Sequence, residues 1–316
     1  MERPRKGTAT SAFGSGRREG HDSSAFYDRF PSPGISDDER VEPAPGFDQP
    51  RAILGDSRDM YHLPDNSVAL VVTSPPYFVG KEYEQAVAGR RVPESYMDYL
   101  GLLQEVFAEC VRVLEPGGRM AVNVANLGRK PYRSLSGDVT GILQDDLGLL
   151  LRGEIIWTKA RGASGSCAWG SWCSPANPVL RDVTERVVVA SKGRFDRALS
   201  RSQRQAAGLP HRATISPDEF MDATLDVWEI RPASATHVGH PAPFPEELPA
   251  RLIRLYTYED DLVLDPFMGS GTTLVAAAEA NRRGVGYDID SAYVDLAKAR
   301  LDALEQQTSS PLPTSG

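Results

Sequence analysis

Two short stretches of this 316-residue chain carry residue types that could do chemistry. The first is Thr73-Ser74-Pro75-Pro76-Tyr77. Its two consecutive prolines fix φ and remove two backbone donors. What remains is a rigid edge that offers acceptors, the Ser74 hydroxyl and the Pro75 carbonyl, with the aromatic face of Tyr77 beside it. That set suits gripping a planar –NH2 group; the competing reading is a proline-bearing turn with an incidental aromatic. The second stretch is Asp265-Pro266-Phe267-Met268-Gly269-Ser270-Gly271-Thr272-Thr273. Small residues at Gly269, Ser270 and Gly271 let a ligand approach the backbone, and a following helix start offers unpaired N–H groups. A nucleoside-triphosphate loop would need a lysine after Gly271, where the chain has Thr272. Asp288 follows Asp265 by 23 positions, near the ~20 at which an acidic residue usually accepts hydrogen bonds from ribose hydroxyls.

The elements that must position these residues can be read from periodicity. Arg51 to Asp56 is a short strand ending in Gly-Asp, and Ser67 to Thr73 is a continuous apolar strand of the kind buried on both faces of a parallel sheet. Tyr96, Leu100, Leu103, Phe107, Val111 and Leu114 recur at helical spacing, with Pro116-Gly117-Gly118 as the stop. Strands are expected at Arg119 to Val124, Gly153 to Thr158, Arg186 to Ala190, Leu262 to Asp265 and Val285 to Asp288, and a helix at Thr272 to Asn281. Strands alternating with helices predict an α/β fold, a mostly parallel sheet with helices on both faces. Ligands of such sheets bind beyond the carboxyl ends of the strands.

Composition narrows the classes. A hydrophobic content of 41% and a charged content of 25% are ordinary for a soluble protein, and no apolar run approaches the ~18 residues of a membrane helix. Met1 to Gly20 is basic and polar and lacks the apolar stretch of a signal peptide, which predicts a cytoplasmic protein. Cys110, Cys167 and Cys173 form no CxxC pair and have no histidine at zinc-ligand spacing, so no metal is expected. The net charge of −8 argues weakly against a nucleic-acid partner, since only the local charge meets phosphates. Residues 1–50 and 306–316, rich in Gly, Ser and Pro and poor in aliphatics, are expected to be disordered tails.

Ser74-Pro-Pro-Tyr77 together with Asp265 to Thr273 resembles the amino-methyltransferases of DNA, which methylate cytosine N4 or adenine N6. The catalytic motif precedes the cofactor loop, an order similar to the permuted beta class, and the similarity runs over most of Arg51 to about Leu304. It takes in Ile53 to Asp56, Trp169 to Trp172, Ser174 to Pro178 and His240 to Pro245. The resemblance implies a Rossmann-like S-adenosylmethionine-dependent methyltransferase fold with circularly permuted motif order and a small target-recognition insertion. The catalytic half then covers 51–193, the target-recognition segment 194–236 and the cofactor half 237–305. It implies S-adenosyl-L-methionine as cofactor, with the methionine part held by Asp265, Pro266, Phe267 and the Gly269-Ser270-Gly271-Thr272-Thr273 turn. Asp288 would hold the ribose and Asp56 the adenine amine, while His240, Pro241 and Phe244 would close the pocket. Ser74, Pro75, Pro76 and Tyr77 would grip a flipped base.

Serine at the first motif position is associated in that family with cytosine N4, and adenine N6 is the alternative. The expected partner is double-stranded DNA, and the resemblance allows a cognate restriction endonuclease and either a monomer or a homodimer. Methylation of the cytosine ring carbon would need a cysteine nucleophile, typically after proline, and the chain has no Pro-Cys dipeptide. Within the recognition segment Arg194, Arg197, Arg201 and Arg204 would share one face if helical, a basic stripe able to grip phosphates, against the plainer reading of a solvated face. Arg212, Arg231, Trp169, Trp172, Asn177 and Arg181 are weaker candidates around the base or the DNA. A rival of another class is a non-catalytic nucleic-acid-binding Rossmann module, which would not need the acceptor edge. A methyltransferase of RNA, protein or small molecules is a further option.

Overall fold

The computed structural model describes residues 34–46, 49–77, 93, 95–127, 132–159, 170–232 and 245–309. Among these, eight strands form one sheet: β1 (Arg51–Leu54), β2 (Val68–Thr73), β3 (Leu114–Val124), β4 (Leu150–Thr158), β5 (Thr184–Ser191), β6 (Val227–Glu229), β7 (Leu262–Asp265) and β8 (Arg283–Asp288). Their order across the sheet is β1-β8-β7-β2-β3-β5-β4-β6. All pairings are parallel except those of β5 with β3 and β4, so β5 is the one reversed strand among the described residues.

The strands read as apolar runs because both faces of the sheet are covered. Side chains alternate between faces. Met120, Val122, Val188, Leu264 and Val285 point into one core with the helix α1 (Tyr96–Val113), whose Tyr99, Leu103, Val106 and Phe107 supply the buried stripe. The helix α2 (Leu135–Gly141), which continues as a π-helical turn to Asp146, adds Leu135, Val139 and Leu143 to that core. Leu70, Val72, Ala121, Val187, Val189 and Val263 point the other way, toward α5 (Glu247–Tyr256) and α6 (Thr272–Glu279). The helix α7 (Ser291–Ser309) packs Val294, Ala297 and Leu301 on Met268, Leu274 and Val275. Ser95 starts α1 with a capping box, accepting from Asp98 N while the Asp98 carboxylate accepts from Ser95 N. No helix of the described residues is long and apolar enough to cross a membrane.

Four expectations need correction. Residues 35–46 belong to the folded body and not to a tail: Ser36 N donates to Gly193 O (2.7 Å), Glu42 N to Asn66 O (3.0 Å), and Ala44 packs on the core. The rest of the tail expected over 1–50 lies largely outside the described residues. Pro116-Gly117-Gly118 does not follow the helix as a stop but lies inside β3. Gly117 is there for a close approach, since a Cβ on it would sit 1.9 Å from the Asp196 carbonyl oxygen. The arginine stripe is not one helical face: only α3 (Arg201–Ala206) is helical, and Arg194 and Arg197 precede it in irregular chain. At the other end α7 extends to Ser309, past the expected boundary at 305. Between α3 and β6 lies α4 (Pro217–Ala223), opened by a Ser216–Glu219 capping box with Pro at its start.

Candidate active site

In a parallel sheet every strand delivers its carboxyl end to the same edge, so the loops after β1, β2, β7 and β8 open on one side of the molecule. Three side-chain or backbone bonds tie these ends together. Thr73 Oγ1, at the end of β2, donates to Asp265 Oδ1 at the end of β7 (2.7 Å, 192 residues apart). Ser57 Oγ donates to the Pro266 carbonyl (2.5 Å), and Gly55 N to the Asp288 carbonyl (3.0 Å). The Ser-Pro-Pro-Tyr motif and the glycine loop therefore leave neighbouring strands through a shared anchor.

That anchor is Asp265, which is 1% exposed. Its carboxylate accepts from Thr73 Oγ1, from Phe267 N (3.1 Å) and from Thr273 Oγ1 (2.6 Å). Burial pushes its pKa up to about 6, although all three donors act to lower it. Three of the four lone-pair positions are thus spent within the protein, and the group holds the loop in shape. The loop itself turns partly inward. Gly271 has φ 78° and starts α6; a Cβ there would lie 2.8 Å from the Ala297 Cβ, so glycine serves both the left-handed turn and the packing of α7. Arg300 of α7 donates to Ser270 O (2.8 Å), Ser270 Oγ (3.2 Å) and Thr272 Oγ1 (3.1 Å). Ser270, Thr272 and Thr273, expected as cofactor contacts, therefore spend their hydroxyls inside the fold.

Half-buried Phe267 and Gly269 form the outward part of the loop, beside half-buried Asp288 at the end of β8. Asp288 Oδ2 accepts from Gly269 N (2.9 Å) and Oδ1 from Asp290 N (2.9 Å), while burial raises its pKa above the usual carboxylate value. Asp56, just past β1, is held below the usual carboxylate range by Arg58, whose guanidinium pairs with it at 2.6 Å and reaches Glu105 at 3.1 Å. His240, Pro241 and Phe244 lie outside the described residues, as do Trp169 and Cys167.

The motif after β2 sits in a polar cluster that the sequence reading missed in part. Tyr77 Oη lies 3.2 Å from Ser74 Oγ and 3.0 Å from Glu185 Oε2. Asn123 Nδ2 donates to the same Glu185 oxygen (2.7 Å) and lies 3.4 Å from both hydroxyls. Lys159 Nζ closes the cluster at 2.6 Å from Glu185 Oε1. Asn123 Oδ1 is buried without a partner among the described residues, which leaves an acceptor in this cluster. Pro75 is buried behind the motif and Pro76 is exposed. The reversed direction of β5 explains the gathering: its start, at Glu185, lies against Trp157 near the carboxyl end of β4, beside the carboxyl end of β3 that carries Asn123.

The arginines part company. Arg204, 1% exposed, donates to Glu115 (3.1 Å) and Asp261 (2.8 Å); Arg197, 10% exposed, donates to the same two acids. Both are corrected to structural roles, because their guanidiniums are spent in a buried, charge-balanced quartet. Arg194 is half-buried and pairs with Glu39 (3.4 Å), and Arg201 is exposed. Arg212 pairs with Glu259, and Trp172 is exposed. Cys110 is buried in the core and Cys173 is exposed.

Residues 68–299 match the N6/N4 methyltransferase family model, described as DNA methylase. The chain is 28% identical to the Type II methyltransferase M.MjaI of Methanocaldococcus jannaschii, over 79% of this chain and 90% of that one. It is 30% identical to the Type II methyltransferase M.HpaI of Haemophilus parainfluenzae, over 77% and 70%. Among solved structures, TTHA0409 of Thermus thermophilus in complex with S-adenosyl-L-methionine superposes with a TM-score of 0.62 at 29% identity, covering 80% of this chain and 93% of that one. With one sheet edge gathering the motif after β2 and the loop after β7, and the family match spanning both, the chain belongs to the N6/N4 DNA methylase family, a DNA methyltransferase with S-adenosyl-L-methionine as its methyl donor.

Proposed function

We propose that the protein methylates the exocyclic N4 amine of cytosine in duplex DNA, as a Type II modification enzyme of the permuted beta class. The observation that carries this reading is the Thr73–Asp265 bond, which keeps Ser74 to Tyr77 and Phe267 to Gly269 on one edge of the sheet. The residues at that edge fit the cofactor by their chemistry: two carboxylates, Asp56 and Asp288, suit an amine and ribose hydroxyls, and Phe267 offers an aromatic face. Asp265 contributes mainly by holding the loop. When bound, S-adenosyl-L-methionine supplies a methyl group made electrophilic by its positive sulfur.

The chain's own residues handle the base. An exocyclic amine is a poor nucleophile, because its lone pair is delocalised into the ring. Ser74 Oγ and the Pro75 carbonyl accept from its two N–H groups, draw the nitrogen toward a tetrahedral geometry and localise that lone pair. Tyr77 stacks on the ring and holds it for an in-line attack, so that positioning supplies much of the rate. The base nitrogen takes the methyl directly, without a covalent link to the chain, and then releases a proton. The nucleotide reaches this edge by leaving the duplex stack, at about a few kcal/mol. Exposed Arg201 is the member of the stripe that remains suited to phosphate contact.

The test is transfer of labelled methyl from S-adenosyl-L-methionine to unmethylated duplex DNA, followed by nucleoside mass spectrometry. N4-methylcytosine is the expected product. N6-methyladenine would replace the cytosine assignment, and label on RNA alone would overturn the substrate class. Tyr77→Ala is expected to abolish transfer while cofactor affinity falls little; near-normal turnover would contradict the stacking role.

A further inference from the structure

Glu185 stands outside the Ser-Pro-Pro-Tyr motif, on a different strand and 108 residues from Tyr77, yet it meets that motif directly. It is 8% exposed and its carboxylate accepts three bonds: Lys159 Nζ at 2.6 Å on one oxygen, and Asn123 Nδ2 at 2.7 Å and Tyr77 Oη at 3.0 Å on the other. Counting protons along this cluster gives it a direction. An ionised carboxylate can only accept, so the single proton of Tyr77 is committed to Glu185. The 3.2 Å contact between Tyr77 Oη and Ser74 Oγ then has one consistent donor, Ser74. With its proton turned toward Tyr77, Ser74 Oγ keeps lone-pair capacity for an incoming N–H. Were the chain reversed, the Ser74 proton would be turned out toward the base, donor against donor.

We infer that Glu185 is a positioning residue that sets the direction of the Ser74–Tyr77–Glu185 hydrogen-bond chain, so that Ser74 Oγ presents itself to the substrate amine as an acceptor. The inference rests on the amino-methylation proposed above and extends it to a residue outside the motif. Three features of the structure favour a carboxylate at this place. Two further donors, Asn123 and Lys159, point at Glu185, so a group with only acceptors satisfies all three contacts. Lys159 balances the charge, which a buried carboxylate needs. Burial, reinforced by the nearby Glu185 charge, holds the Tyr77 pKa well above that of a free phenol, so Tyr77 keeps the proton it donates. The reversed strand β5 is what brings the residue here, by its start and not its end.

Glu185→Gln tests the chain. An amide places one donor where the carboxylate had acceptors, so it faces either Lys159 or the Tyr77 and Asn123 donors. Single-turnover methyl transfer would be measured with full-length protein, labelled S-adenosyl-L-methionine and unmethylated duplex DNA of mixed sequence. The expected loss is about 10- to 100-fold, the factor a charge-assisted hydrogen bond is worth, with cofactor affinity changed less than about threefold. The same substitution in a Tyr77→Phe background is expected to cost less than about threefold, because the chain is already cut. A purely structural Glu185 would cost the same factor in both backgrounds, and that result overturns the inference.

Glu185→Asp, which keeps the acceptors at shorter reach, is expected to recover part of the rate lost in Glu185→Gln. If Glu185→Gln does not fold, Tyr77→Phe alone carries the test: the Ser74 hydroxyl loses its acceptor and transfer falls about tenfold, whereas an unchanged rate overturns the inference. Active wild type beside an equally active Glu185→Gln variant overturns it alone. Wild-type protein that transfers no methyl to DNA sinks the underlying reading and the inference with it.

Discussion

Arg204→Ala separates a structural arginine from one that grips DNA. Arg204 donates to Glu115 at 3.1 Å and to Asp261 at 2.8 Å, and its Nε reaches the Pro210 carbonyl at 2.5 Å. Both acids are 3% exposed and share Arg197, so two cations balance two anions out of contact with water. Truncating one cation leaves a net buried negative charge, which costs about 3–5 kcal/mol. Against a total stability of about 5–15 kcal/mol, that is a large fraction, and at about 2–4 °C per kcal/mol it lowers Tm by roughly 6–20 °C. Thermal denaturation by circular dichroism reads the shift. Arg201→Ala, at an exposed position, is expected to cost within about 0.5 kcal/mol. Converting Glu115 to Gln in the Arg204→Ala background removes the surplus charge, so the pair is expected to lose less than the sum of the singles. DNA affinity against salt completes the comparison, because each phosphate contact contributes about 0.9 to the slope of log K against log salt. A folded Arg204→Ala variant with wild-type Tm and a slope reduced by about one would refute the reasoning.

Asp265 gives a pH signature. Its pKa is raised to about 6 by burial, from 3.8, so between these values the folded state binds the proton more tightly than the unfolded chain. Its contribution therefore favours the fold in acid and is lost as pH rises through about 4 to 6, worth about 3 kcal/mol in all. Urea unfolding of the wild type and Asp265→Asn across pH 4–7 should move the difference toward the variant by up to about that amount; a flat difference would contradict it. Gly271→Ala should destabilise by about 1–3 kcal/mol, from the left-handed φ of 78° and the 2.8 Å approach to Ala297. Ala297→Gly in the same chain should relieve part of that loss, and independent additive losses would show that packing is not the cause.

The parts of the fold legible in the sequence are those where a single period decides. β2 and β7 are apolar up to their last residues, Thr73 and Asp265, because helices cover both faces, and α1 shows its stripe because its other face meets solvent. The glycine pair at 117–118 looked like a helix stop because glycine after an amphipathic run usually is one. Here the reason for it is Asp196, a residue whose nearness no local pattern reveals. The segment 35–46 has the composition of a tail, yet its backbone groups pair with Gly193 and Asn66, and backbone pairing leaves little mark on residue type. The arginine stripe misled for a related reason. Spacing says which arginines could share a face, but their burial was decided by Glu115 and Asp261, which lie outside the segment. Glu185 sits between the polar Thr184 and Arg186 and left no mark, but Asn123 did leave a signal, a polar residue between two valines at the end of an apolar run. Burying such a group is costly without partners, so its presence was a reason to look for them.

The same sheet explains why motif order along the chain is indifferent to the chemistry. Parallel strands all enter from one side, so whichever half is made first, its strand-to-helix loops emerge on the common edge. What the two motifs need is adjacency, and the β2–β7 pairing supplies it across 192 residues of sequence. A residue on a reversed strand obeys the opposite rule and must lie at the start of its strand to reach that edge. Glu185 does so, second in β5, while the rest of β5 runs away through the core. A carboxylate at Val187 or Val189 would share the face of Glu185 but lie deeper along the strand, buried among Leu70, Val72 and Ala121. The position of Glu185 within its strand therefore follows from strand direction, as does its access to Tyr77 and, through it, Ser74.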